Sequence, residues 1–141
     1  SLGYADDIAA CTGSNGELNV SEARKRSPMN WGIDKSSLPG LSIYAGINDG
    51  YTGSVPISHS INFFNKIALH FGETDKDLID RDQTALLLAR GAEKLQSPER
   101  IEDREVIYSI GFANASLTIF DGGHELLVDH TAKELLRLYR D

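Results

Sequence analysis

The sequence predicts an α/β fold, a sheet flanked by helices, and three observations carry that expectation. Runs of strand formers stand at Leu41-Ser42-Ile43-Tyr44-Ala45-Gly46, Val106-Ile107-Tyr108 and Ser116-Leu117-Thr118-Ile119-Phe120. Apolar residues at three- and four-residue spacing mark helices between and after them. Two glycine-rich loops, Gly46-Ile47-Asn48-Asp49-Gly50 and Asp121-Gly122-Gly123-His124-Glu125, each follow an expected strand and precede an expected helix. With 141 residues and ordinary apolar content, the chain suits one small domain with its own core.

Residues 1–39 read as a loop-rich lead-in, full of Gly, Ser, Asn and charge, with a turn signal at Gly13-Ser14-Asn15-Gly16 and no sustained apolar period. The run from Leu41 to Gly46 follows Leu38-Pro39-Gly40 and ends at Asn48-Asp49-Gly50, which marks a buried strand. Ser58 is placed to cap a helix reaching about His70, because Ile61, Phe64, Ile67, Ala68 and Phe71 share one face; Gly72 then stops it. Residues 73–103 are acidic and broken and read as a helical insertion, with Leu87, Leu88, Gly91 and Leu95 setting a helix over 84–95. The two later strands have Gly111 and Asn114 between them, so they are either paired by a turn or successive in the sheet. Leu126, Leu127, Ala132, Leu135, Leu136 and Tyr139 form the apolar side of a closing helix over about 125–139. There is no internal repeat.

Charge and composition exclude several classes of function. The net charge is −7 and no run of Lys or Arg could neutralise a phosphate backbone, so no nucleic acid partner is expected. No stretch approaches the roughly 20 apolar residues that cross a bilayer, and no membrane partner is expected. Cys11 is the one cysteine, which excludes an internal disulfide and leaves the compartment open. The chain opens at Ser1 rather than Met, which reads as a processed product or a piece of something longer.

The chemistry lies in the two glycine-rich loops. Asp49 follows one strand and His124 a later one, 75 residues on, in the acid-then-histidine order that follows a nucleophile in α/β-hydrolases. Ser27-Pro28-Met29, a Pro-led strand, Gly46-x-x-Asp49 with Val55-Pro56, and Gly122-Gly123-His124-Glu125 before the last helix together resemble the C-terminal portion of prolyl-oligopeptidase-like hydrolases. The resemblance spans most of 27–139 except about 73–103. It implies the C-terminal portion of an α/β-hydrolase sheet with flanking helices and the N-terminal half absent. It also implies that Asp49 orients and charge-balances His124, and that His124 takes the proton of a nucleophilic serine. No cofactor is expected.

The nucleophile itself is missing from the pattern. A nucleophile elbow needs Gly-x-Ser-x-Gly on a strand-to-helix turn, because only small neighbours let the serine project. Ser14, Ser42 and Ser109 each have a glycine on one side only. The resemblance places the serine and the oxyanion hole upstream, so the chain alone is expected to be inactive.

His59, His70 and His130 lie in or near expected helices and read as surface or packing residues. No metal-ligand spacing joins them to His124. Asp75, Asp77, Asp80 and Asp82 lack the calcium-loop pattern and read as a solvated face. Cys11 has no identifiable activating base. Two classes of function therefore follow: the C-terminal piece of a serine hydrolase acting on a small ester or peptide acyl bond, or a non-catalytic binding or assembly module with hydrolase-like loops. Cutting a parallel sheet would expose a strand edge, which predicts self-association through that edge.

Overall fold

The computed structural model describes residues 2–34, 40–91, 99–113 and 115–138. Where one domain was expected, the chain divides into two compact units, Ser1–Asp34 and Lys35–Asp141.

The first unit corrects the loop-rich expectation for residues 1–39. It holds helix α1 (Leu2–Cys11), helix α2 (Val20–Arg26) and a single 3-10 turn at Pro28–Asn30. Both helices escape an apolar-period search for physical reasons. In α1 the helix-forming alanines at 5, 9 and 10 contribute propensity without a wide apolar stripe. In α2 no residue is buried; Asn19 caps it by accepting the Glu22 N–H at 3.2 Å, and Glu22 pairs with Lys25 at 2.6 Å. Ala9 and Thr12 are buried, and Thr12 turns its hydroxyl back onto the Ile8 carbonyl at 2.9 Å.

The second unit is a mixed α/β assembly built on a four-stranded sheet with flanking helices. Its strands are β1 (Leu41–Gly46), β2 (Arg100–Ile101), β3 (Arg104–Phe112) and β4 (Ala115–Phe120), in the order β1-β4-β3-β2. β1 and β4 are parallel, from Leu41 beside Ala115 to Gly46 beside Phe120. β3 runs antiparallel to β4, and β2 antiparallel to β3. The sheet is thus mixed rather than parallel throughout, and of the two arrangements left open for the later strands the paired one forms. Only two residues separate β3 from β4, too few for the crossover that a parallel pair requires. Gly111, expected in the turn, lies within β3, and Asn114 falls outside the described residues.

Helix α3 (Ile57–Phe71) closes one face of β1 and β4. Ile57, Ile61, Phe64, Ile67 and Ala68 are buried on it, as are Leu117 and Ile119 on the strand. This is the core, and each of its buried Ile, Leu and Phe side chains contributes about 1.5–3 kcal/mol of transfer free energy. The helix begins after Pro56, whose ring fixes the entry angle, and Ser58 lies inside it rather than at its cap. Gly72 ends it at φ 98°, donating its N–H to the Ala68 and Leu69 carbonyls.

The expected insertion contains helix α4 (Arg81–Leu88), shorter than the expected 84–95; residues 92–98 lie outside the described set. Its acidic residues include helix caps: Asp80 accepts the Gln83 N–H at 2.7 Å, and Asp77 accepts from the Thr74 hydroxyl at 2.8 Å. Asn65 of α3 grips the Ile79 backbone through both its amide groups, at 2.8 and 3.0 Å, which seats α4 against α3.

The closing helix, α5 (Val128–Leu138), starts three residues later than expected, leaving Glu125, Leu126 and Leu127 in the loop. Of its expected apolar side, Leu135 and Leu136 remain 52% and 60% exposed. Polar contacts hold it instead. His130 Nε2 meets the Tyr44 hydroxyl at 2.8 Å with the rings edge-on, and the His130 N–H donates to Glu102 at 2.8 Å. Among the described residues no helix is long and apolar enough to cross a membrane.

Candidate functional site

Parallel pairing of β1 and β4 brings their C-terminal ends side by side, and with them the two glycine-rich loops. The loops are joined through the backbone: the Ile47 N–H donates to the Phe120 carbonyl and the Asn48 N–H to the Gly122 carbonyl, both at 2.9 Å. Glycine is needed at this seam. A Cβ on Gly46 would collide with the Gly122 and Gly123 carbonyls, and one on Gly53 would stand 2.6 Å from the His124 Cβ and overlap the Asp49 carboxylate.

Across the seam, His124 Nδ1 lies 2.7 Å from Asp49 Oδ2. The other carboxylate oxygen accepts the N–H groups of Gly50 at 2.9 Å and Val55 at 3.1 Å. The Asp49 side chain is only 11% exposed and that of His124 63%, so a buried acid holds the base of a solvent-facing ring. Burial pushes the Asp49 carboxyl upward. The His124 hydrogen bond, the Val55 N–H, the charge on His124 and the Gly50 N–H together outweigh it and hold the carboxyl below its ordinary range. An ionised carboxylate only accepts hydrogen bonds, so Nδ1 carries the proton of this bond, and in the neutral form of the ring Nε2 is the acceptor.

The histidine loop is braced from β3. Arg104 pairs with Glu125 at 2.9 Å, and the other Glu125 oxygen accepts the Gly123 N–H at 3.2 Å. The Asp121 N–H donates to the Glu105 carbonyl at 2.8 Å. The aspartate loop is braced from the far side, where Tyr51 donates its hydroxyl to the Leu88 carbonyl at the end of α4 and Arg90, just past it, stacks 3.9 Å over its ring.

Asp49 and His124 thus meet, as the sequence reading requires. A cleft of about 350 Å³ opens at them, lined also by Tyr44, Val55, Ser60 and Leu126. The half-matched serines lie in other settings: Ser42 and Ser109 sit within β1 and β3, and Ser14 belongs to the first unit, its hydroxyl 3.2 Å from the Ala9 carbonyl. Ser60 reaches the cleft from inside α3, not from a strand-to-helix turn. Sequence reasoning missed the roles of Arg104, Glu125, Tyr44 and His130, because nothing in a single chain pairs residues 21 or 86 positions apart. His70 sits edge-on to Phe71 at 5.9 Å, and Cys11 is exposed. No group of three or more His, Cys, Asp or Glu suited to a metal ion occurs among the described residues. No family model, curated protein or solved structure matches the chain.

Proposed function

We propose that this chain is the C-terminal portion of a serine hydrolase of the α/β-hydrolase type, supplying the acid Asp49 and the general base His124 for cleavage of an ester or peptide acyl bond. The observation that carries the reading is the 2.7 Å bond between His124 Nδ1 and Asp49 Oδ2. Asp49 fixes the tautomer, so Nε2 takes the proton from an incoming serine hydroxyl as that oxygen attacks the acyl carbon. The imidazolium then returns the proton to the departing alkoxide or amine, and Asp49 balances the transient charge throughout. The serine and the oxyanion donors come from outside these 141 residues. Leucines exposed on α5 favour a second reading, a binding or assembly module in which the same loops are relics.

The test is hydrolysis of a short-chain 4-nitrophenyl ester by this chain, by a form extended upstream, and by variants of the extended form. Activity is expected in the extended form alone, falling by about 10⁴ in kcat for Asp49→Asn and by about 10⁶ for His124→Ala. An extended form that retains full activity without His124 would sink the reading.

A further inference from the structure

A second, larger cleft lies beneath α5, and its walls join it to His124. It measures about 610 Å³, within the roughly 300–1,000 Å³ typical of small-molecule sites. Tyr44, Glu125 and Leu126 line both it and the His124 cleft, so the two adjoin across these three residues.

The cleft exists because the two faces of the sheet are filled differently. Toward α3 the strands present Leu117 and Ile119, fully buried. On the alternate face, β1 and β4 place Ser42 directly beside Ser116, two small residues where a packed core would have branched ones. Facing them from the loop and α5 are Leu126, Leu127 and Leu135, with Leu41 and Phe112 closing the ends. The wall is therefore mainly hydrocarbon, with hydroxyls at its floor.

Its charged residues are already matched. Glu134 pairs with Arg137 at 3.2 Å, and Glu125 with Arg104 at 2.9 Å. An ionised ligand would find no uncompensated partner in this wall, and its desolvation would go unrepaid.

We infer that this cleft receives the hydrocarbon arm of an uncharged ester whose carbonyl carbon is set at His124. The inference rests on the hydrolase reading and names its substrate class: esters with a flexible chain rather than charged peptides. Occupancy of the same groove by a second copy of the chain is the competing outcome.

The experiment is an NMR titration of the full chain with methyl octanoate and methyl butanoate, each below its aggregation limit. Each buried methylene is worth about fourfold in affinity, so octanoate is expected to bind at least about tenfold more tightly than butanoate. Saturable shifts are expected at the Leu127 and Leu135 methyls and at the His124 ring. Leu135→Arg, on an exposed helix surface, and Ser116→Leu, which fills the floor, are each expected to weaken octanoate about tenfold or more. The His124–Asp49 ring-proton signal reports that each variant is folded. Shifts that never saturate, that ignore both variants, or that track self-association instead of ester would overturn the inference. Octanoate binding with no turnover by the extended form removes the hydrolase reading and leaves the cleft. Turnover indifferent to chain length and to both variants removes the cleft and leaves the hydrolase reading.

Discussion

At Asp49, burial and hydrogen bonding pull in opposite directions, and hydrogen bonding wins. The sign of its effect on stability follows. A carboxyl held below its unfolded value of about 3.9 stabilises the fold fully above that value, and the contribution is lost as pH falls through the folded value. Asp49→Asn is therefore expected to lower the urea midpoint at pH 6, with the gap to wild type narrowing once the pH falls below about 4. A gap that stays constant as the pH falls would show that ionisation of this carboxyl contributes nothing to folding. Gly53 is the second sensitive position, since any side chain there enters the space between Asp49 and His124. Gly53→Ala is expected to cost about 1–3 kcal/mol in chemical denaturation and to remove the downfield Nδ1 proton signal of His124. Asp49 and His124 were legible as a pair because their loops combine glycines with an Asp or a His after a strand. The Glu125–Arg104 brace was not, because a charged residue on a strand looks the same in sequence whether or not it has a partner.

Among the elements, α3 and α5 are opposite cases. The apolar period of α3 is long and regular, and four of the five residues read from sequence, Ile61, Phe64, Ile67 and Ala68, are buried on it; Phe71 is only half-buried and Ile57 joins the face instead. The period of α5 is just as plain, but its leucines stay exposed, since amphipathicity specifies a face to be covered without naming the cover. What fastens α5 is the Tyr44–His130 bond. Burial, and after it the Glu134 carboxylate, hold the Tyr44 phenol above its usual range despite its Ser42 hydrogen bond and Arg137, so the hydroxyl stays protonated. Tyr44→Phe removes that hydroxyl and is expected to cost about 1 kcal/mol. Hydrogen exchange should show the loss as faster α5 amides with α3 unchanged; equal acceleration in both helices would mean that α5 is not separately tethered. The two helices of the first unit went unread for the converse reason, because capping and propensity shape them with little apolar stripe to detect.

For the molecule as a whole, the α/β class and the order β1, α3, α4, β3, β4, α5 could be read from the chain, whereas α1, α2 and the short β2 could not, and the choice between paired and successive later strands stayed open. Strand direction depends on the length of the connection, and only with the strand ends in place is the link between β3 and β4 seen to be two residues. Among the described residues β1 pairs with β4 alone, and its six residues include neither proline nor charge to blunt the other edge. We propose that this edge drives self-association, as the sequence reading anticipates. Sedimentation at tens of micromolar is expected to show a species heavier than 15.4 kDa, reduced by Ser42→Lys; a monodisperse monomer would refute it.

The neighbouring parallel strands that carry Asp49 and His124 also separate geometry from chain length. The two loops are held one strand spacing apart, about 4.8 Å, by the ladder between Gly46 and Phe120, whatever the length of the chain that leads from α3 to β3. That connecting stretch alone can lengthen or shorten without moving the two loops, so long as α3 still seals the sheet. The Asp49–His124 geometry therefore answers to the strand ladder, and changes on the surface between α3 and β3 leave it untouched.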